Sequence, residues 1–165
     1  MIELANPLSD SIVAEFDHLR IDCAWVDLAH YSFITLRGDD RKGWLQGQAT
    51  NNLRSLDQGA SSSFCVCEPT GHMLTLCDIW SADETFYVSF PAATRDRFLQ
   101  RIEQMVILED VHVEDASVEF RVLSLQGPRA TSELSQTLTL PSLDAGLTTL
   151  NDIPVVCLRS NRAGM

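Results

Sequence analysis

Residues 38–80 read GDDRKGWLQGQATNNLRSLDQGASSSFCVCEPTGHMLTLCDIW, and this stretch decides the fold. Its first part predicts a capped helix that runs to about Leu53. Two apolar segments follow, Ser63–Glu68 and Met73–Trp80, and each predicts a strand. Pro69 and Gly71 stand between them, and they favour a tight turn because Pro fixes φ and Gly accepts positive φ. The stretch therefore predicts a helix followed by a β-hairpin.

The predicted helix of this stretch carries two unusual glycines. Asp39 or Asp40 suits its N-cap position, because a carboxylate there accepts hydrogen bonds from the first free backbone amides. Gly43 and Gly47 then cost about 1 kcal/mol each relative to Ala inside a helix. Their i, i+4 spacing predicts a helix face that lies very close to another backbone or to a ligand.

Upstream of this stretch, the sequence predicts one helix and two extended segments. Apolar residues in 8–21 recur at intervals of four, four and three, so we expect an amphipathic helix that packs one stripe on the rest. That stripe consists of Leu8, Ile12, Phe16 and Leu19. Residues 25–30 and 31–36 read as extended, and in the second segment Phe33 and Ile34 fall on opposite faces.

Downstream, helices and strands alternate irregularly. The predicted elements are a strand over Thr85–Phe90, a helix after Pro91 that buries Phe98, Ile102 and Met105, strands over Val106–Val113 and Ser117–Gln126, a helix from Gly127 that carries Ala130, Leu134 and Leu138, and a final strand over Ile153–Leu158. Because hairpins and helices mix without a regular β-α alternation, the predicted class is α+β with a mainly antiparallel sheet and packed helices.

The amino-acid composition and net charge limit the classes of binding partner that we expect. The chain has 165 residues, 45% of them hydrophobic, which suits one ordinary packed domain. Its formal net charge of −11 repels phosphate backbones and anionic lipid, so we expect neither nucleic acid nor a membrane as a partner. The N-terminus has no basic cluster before an apolar stretch, so no secretory signal is predicted.

The cysteines indicate a reducing compartment. Five cysteines stand in apolar contexts, and this odd number fits reduced thiols in a cytoplasmic protein better than a disulfide framework. Cys65 and Cys67 share a face of their predicted strand, so both thiols face one potential metal site. No other ligand completes that set, and free cysteines are commonly core residues, so no metal site is predicted.

Few residues carry a candidate chemistry. No phosphate loop, nucleophile elbow or paired metal-binding histidines occur. Asp78 is the one acid within an apolar strand. It is either an active carboxylate with a raised pKa, or a group that lies on a partly solvated strand face or holds a backbone N–H. Trp80, two residues on and on the same face, is either a flat platform for an aromatic ligand or an ordinary core residue.

Four segments in order resemble a known family. They are DLAH at 27–30, WLQGQATNN at 44–52, GHML at 71–74 and LQGPRA at 125–130. Together they resemble the folate-binding family that includes YgfZ-type proteins and the glycine-cleavage T-protein. The resemblance implies an α+β folate-binding domain built from two interleaved ferredoxin-like halves.

One departure bears on activity. The aminomethyltransferases of this family carry an Asp five residues after the turn glycine, which is taken to assist reaction at tetrahydrofolate, and that position is Leu76 here. An alkyl side chain takes no proton, so the resemblance implies no catalytic residue and no aminomethyl transfer by that route. It implies contacts to tetrahydrofolate or another reduced folate from Trp80, Asp78, Leu76 and Asn51. Trp80 stands where the transferases have an aromatic residue against the pterin.

The YgfZ-type branch of the family tolerates the departure at Leu76. The hallmark KGCYxGQE segment of that branch is absent from the sequence. Residues 1–165 therefore read as a single partial domain, without the second half and C-terminal barrel of the family. We expect exposed apolar surface that favours a homo-oligomer. The first interpretation is a non-catalytic, folate-binding accessory protein linked to the upkeep of iron–sulfur proteins. The alternatives are a diverged tetrahydrofolate-dependent aminomethyltransferase that uses Asp78, and a dimeric structural remnant that binds no folate.

Overall fold

A computed structural model describes residues 10–139 and 145–158. Its helices are α1 (Asp10–Ile21), α2 (Arg41–Gln48), α3 (Arg95–Met105) and α4 (Ala130–Thr137), and a 3-10 turn at Ala92–Thr94 precedes α3. Its strands are β1 (Ala24–Asp27), β2 (Tyr31–Arg37), β3 (Ser61–Cys67), β4 (Met73–Ala82), β5 (Thr85–Pro91), β6 (His112–Asp115), β7 (Leu123–Gln126), β8 (Ala145–Leu150) and β9 (Ile153–Leu158). No helix within the two described ranges is long and apolar enough to cross a bilayer.

An antiparallel five-stranded sheet dominates the molecule. Its strand order is β3-β4-β5-β2-β6, and the two-stranded ribbons β1–β7 and β8–β9 lie outside it. The β3–β4 hairpin predicted from residues 63–80 is present, and its turn has Gly71 at φ 84°. The predicted α+β class with mainly antiparallel pairing is therefore confirmed.

One face of this sheet forms the main core. Because side chains alternate across a strand, Ile34, Cys77 and Val88 point to the same side of their three strands. Helices α2 and α3 cover that side with Trp44, Leu45, Phe98 and Ile102, all of which are buried. Met105, predicted to be buried, is half-buried and packs against the same cluster. The opposite face carries the candidate site.

The described residues leave most of the apolar stripe of α1 uncovered. Ile12 is 47% exposed and Phe16 is 57% exposed, so the prediction that this helix packs its stripe on the rest is wrong for these two residues. Leu8 lies outside the described residues. The helix meets the rest at its C-terminal end, where the Arg129 amide donates to the Asp22 carbonyl, and a half-buried Leu19 lies one turn earlier.

Helix α2 is shorter than predicted, and its glycines face open space. It ends at Gln48 rather than near Leu53, because the Gln46 side chain bonds the backbone on both sides of the following turn. A Cβ added at Gly43 or Gly47 meets no atom within 4 Å. The predicted close approach of another backbone to these glycines is therefore wrong.

The strands after α3 are also shorter than predicted. Residues 106–111 form a loop in which the Glu109 carboxylate accepts the amides of Ile107 and Leu108, and only 112–115 pair with β2. In the second predicted strand only 123–126 pair, with β1. Strand β8 was not predicted, whereas its partner β9 matches the predicted bounds Ile153–Leu158.

Candidate functional site

The second face of the sheet brings together the residues singled out on β4. Leu76, Asp78 and Trp80 alternate with the core residues Cys77 and Ile79, so they lie in a row along the strand. The row changes character along its length. Leu76 is 51% exposed, Asp78 is half-buried and Trp80 is 4% exposed. We call this row, with its neighbours on β3 and β5, the β4 face.

Asp78 is held by a hydroxyl group of the flanking strand β3. The Ser63 hydroxyl of β3 donates to Asp78 Oδ1 at 2.6 Å. Ser89 stands opposite Asp78 on β5 and is buried. Because the Ser63 hydroxyl donates to it, the Asp78 carboxylate is a hydrogen-bond acceptor with a fixed orientation. This geometry agrees with the interpretation of a partly solvated strand face.

Asn51 belongs to the same hydrogen-bond network. Its Nδ2 donates to the Ser62 hydroxyl at 3.1 Å and to the Ser63 carbonyl at 2.9 Å. Its Oδ1 accepts the Asn52 amide, which closes a local turn. Asn51 therefore fixes the chain after α2 against the edge of β3, and Ser63 links it to Asp78.

Trp80 lies inside an aromatic cluster. Its ring stacks on Tyr87 with centroids 5.6 Å apart and planes 10° apart, and Phe33 meets it edge-on at 5.7 Å. Phe120 packs onto the same group from a distant part of the chain. The indole Nε1–H is buried and has no acceptor within the described ranges. The geometry is that of a core tryptophan, and a ligand ring reaches it only if the cluster opens.

Leu76 faces solvent at the open end of the row. It stands opposite Cys65 of β3, and the neighbouring Met73 is 65% exposed. The surface beside Asp78 is therefore alkyl and thiol rather than acidic. Chemically, the β4 face offers one oriented carboxylate and an apolar shelf around the exposed Leu76, with the Cys65 thiol beside it.

The thiols of this hairpin point to both sides of the sheet. Cys65 and Cys67 lie on the β4 face and are half-buried, whereas Cys77 is buried in the core. Burial and the neighbouring Asp78 carboxylate raise the pKa of Cys77, so it stays a neutral thiol. Within the described ranges, no cluster of three or more His, Cys, Asp or Glu side chains is arranged to hold a metal ion.

Sequence reasoning missed the groups that surround these residues. Ser63 and Ser89 were not singled out, although strand pairing places both beside Asp78. Tyr87 stands opposite Trp80 on β5 and was recoverable from the register of the β4–β5 hairpin. Phe120 lies 40 residues from Trp80, and no local pattern signals their contact.

Comparison with known proteins places this arrangement in context. The family model described as the GCVT N-terminal domain matches residues 4–162. The chain is 30% identical over 126 residues to an aminomethyltransferase of Listeria innocua, with 76% of this chain and 34% of the relative covered. It thus spans about a third of the length of that relative.

Solved structures agree in fold. The glycine cleavage system aminomethyltransferase T of Bartonella henselae matches with a TM-score of 0.70 and 20% identity, over 76% of this chain and 35% of that one. A chain of the heterotetrameric sarcosine oxidase of Corynebacterium sp. U-96 matches with a TM-score of 0.60 and 17% identity, over 92% of this chain and 80% of that one. At these identities the likeness concerns the fold alone.

Proposed function

Because the chain belongs to the GCVT N-terminal domain family, we propose that it is an aminomethyltransferase-related module that binds a reduced folate without transferring its one-carbon group. The observation that carries the proposal is the exposed Leu76 at the open end of the β4 face. Its alkyl side chain neither accepts a proton nor stabilises a developing cation. The apolar shelf and the adjacent carboxylate are retained, and they suit binding rather than reaction.

Asp78 does not replace the missing acid in place. Two residues along a strand are roughly 7 Å apart, so its carboxylate sits one step away from the position of Leu76. Ser63 also holds it by a 2.6 Å hydrogen bond. Catalytic groups lose rate steeply when they are misplaced by even 1 Å. In this proposal the pterin ring of tetrahydrofolate lies over Leu76, and Asp78 accepts hydrogen bonds from its N–H groups.

Asn51 and Trp80 have indirect roles in this proposal. Asn51 orients Ser63 through the β3 backbone, and Ser63 in turn orients Asp78. Trp80 supports the shelf from within the sheet, because it is buried and already stacked on Tyr87. The proposed contacts of the ligand itself are therefore with Leu76 and Asp78.

The proposed cellular role follows the YgfZ-type resemblance. A folate-binding protein without transfer activity fits an accessory protein for the upkeep of iron–sulfur proteins in the cytoplasm. The net charge of −11 supports a protein partner with a basic surface over an acidic one. The folate test below addresses the binding half of this proposal.

Titration with tetrahydrofolate under anaerobic conditions tests the proposed folate binding. We expect saturable binding, measured through changes in the amide chemical shifts of residues 63–65 and 76–78. Asp78→Asn is expected to weaken binding about tenfold, the worth of one good hydrogen bond to a charged group. The matched control is Asp83→Asn, the same change at an exposed turn residue of the same hairpin. A flat titration would instead support the folate-free remnant.

A second candidate is a diverged aminomethyltransferase, and the bond from Ser63 to Asp78 is the observation that favours it. An oriented carboxylate on the correct strand face is one requirement for assisting the reaction. Transfer of the methylene carbon from an aminomethyl thioether to tetrahydrofolate, with release of ammonia and the free thiol, would establish this candidate if it is lost in Asp78→Asn and retained in Asp83→Asn. We expect no such turnover above background.

A further inference from the structure

A cavity of about 500 Å³ lies away from the β4 face, beside α4. Asp22 and Trp25 line it from one side, and Arg129, Glu133 and Leu134 of the α4 region line it from the other. Its volume falls in the range of small-molecule sites in proteins. We call it the α4 cavity, and neither the β4 face nor the proposed function uses it.

The chain beside the α4 cavity is closely packed. Gly127 adopts φ +119°, and a Cβ there would lie 2.2 Å from the Asp22 carbonyl oxygen. The Arg129 amide donates to that same carbonyl at 3.3 Å. The chain entering α4 therefore packs directly on the chain leaving α1, and this contact sets Asp22 and Arg129 of the cavity lining side by side.

Part of the cavity lining is apolar, and one of its residues is aromatic. Leu125, Leu134, Leu138 and Leu150 line the cavity together with Trp25, whose side chain is 59% exposed. An exposed indole offers a flat face to an aromatic ring or to a cation. This lining suits a ligand with an apolar body.

The mouth of the cavity has an unbalanced charge. Arg129 pairs with Glu133 at 2.7 Å and with Asp22 at 3.5 Å, so two carboxylates share one guanidinium. Both carboxylate side chains are about one-third exposed, which leaves acceptor positions open. In agreement, burial and the carboxylates of Asp22 and Glu133 raise the pKa of the adjacent Cys23 thiol against the opposing effect of Arg129.

We propose that the α4 cavity binds small primary amines that carry an apolar or aromatic body. The ammonium group donates to Asp22 and Glu133, completing the charge balance around Arg129. The body lies among the leucines and against Trp25. A ligand with the same body and a carboxylate head group is excluded, because the carboxylates of Asp22 and Glu133 repel it.

Three probes that share a phenylethyl body and differ in the head group test the proposal: 2-phenylethylamine, 2-phenylethanol and 3-phenylpropanoate. Binding is followed by ¹H–¹⁵N shifts of the Trp25 indole and of the amides of Arg129 and Leu134. We expect saturable shifts, with the amine binding at least tenfold more tightly than the alcohol and the carboxylate weakest. Equal affinities for the three probes, or no saturation by the amine, would overturn the proposal.

Two variants separate the site from the general negative field. Glu133→Gln is expected to remove the preference for the amine, whereas Glu119→Gln, the same charge change at an exposed residue outside the cavity, leaves it intact. Equal losses in the two variants would mean that the amine follows net charge alone. Leu134→Trp fills the cavity, and we expect it to abolish binding of all three probes while amide shifts elsewhere stay unchanged.

Discussion

Asp115 shows how a single carboxylate is kept charged at the end of β6. Burial raises its pKa, but the Ser117 hydroxyl and amide, together with the Arg95 guanidinium, outweigh burial and hold the pKa of Asp115 below its ordinary value. The Ser117 hydroxyl, which donates to Asp115 Oδ1, also accepts the Phe33 amide. Through these bonds, Asp115 joins Arg95 at the start of α3 to the pairing of β2 with β6.

This network predicts an acid-sensitive contribution to stability. Because the folded pKa of Asp115 is lowered, its contribution is complete above the unfolded value near pH 4 and is lost as pH falls through the folded pKa. Asp115→Asn is expected to cost about 1–3 kcal/mol at pH 7, since the partners of the carboxylate stay behind. Urea unfolding between pH 7 and pH 2.5 measures both effects.

Asp96→Asn is the matched control for this prediction. Asp96 bonds the same guanidinium, Arg95, but its side chain is 91% exposed. Exposed ion pairs contribute little, so we expect a change within about 0.5 kcal/mol and an unaltered pH profile. If the two variants unfold alike at every pH, the network around Asp115 does not stabilise the fold.

At the scale of single elements, α2 and the chain after it close one edge of the sheet. The Thr50 amide donates to the Cys65 carbonyl, and the Thr50 hydroxyl accepts the Cys65 amide. Asn51 adds its bond to the Ser63 carbonyl. These contacts cover polar groups of β3 that a free edge would offer to another chain. They also explain why the helix ends early, since the backbone turns aside to pair.

The glycines of α2 lead to a second prediction. Gly43 and Gly47 are helical and have open space where a Cβ would lie, so alanine relieves the backbone entropy without a clash. Gly43→Ala and Gly47→Ala are each expected to raise the free energy of unfolding by about 0.5–1 kcal/mol. Chemical denaturation of the two variants measures this gain.

Gly38→Ala provides the contrast. Gly38 has φ +99°, and a Cβ there would lie 2.1 Å from the Asp110 carbonyl oxygen. The same substitution is therefore expected to be destabilising at this position. A loss of stability on Gly43→Ala or Gly47→Ala would show that this helix face has a close neighbour after all.

Across the whole molecule, sequence patterns predicted the features that depend on residues close together in the chain. Alternation in 31–36 and the Pro–Gly turn before Met73 gave β2 and the β3–β4 hairpin, because both depend on near neighbours in sequence. The cover of Trp80 depends on Phe120 and Val156, which lie 40 and 76 residues away, so no window of sequence contained it. The positions of Leu76 and Asp78 on one face followed from strand period alone, whereas the orientation of Asp78 by Ser63 required the register between strands.

The exposed stripe of α1 has a consequence for assembly. Ile12, Val13 and Phe16 are each at least 44% exposed on adjacent turns, which is the kind of apolar surface that a second copy covers. A dimer joins two chains of net charge −11, and screening of this repulsion strengthens association. We therefore predict weak self-association that increases with salt, measurable by light scattering over a range of protein concentrations.

The Ile12→Ser/Phe16→Ser variant is expected to remain monomeric at both low and high salt and to lose little stability, because the described part of the chain leaves both side chains exposed. Ile107→Ser/Leu108→Ser removes two aliphatic side chains that are at least as exposed, at the loop after α3. It should leave the association unchanged if the stripe is specific. Equal effects of the two double variants would mean that exposed apolar area alone drives association. If the wild-type chain stays monomeric at every salt concentration, the α1 stripe is not an interface.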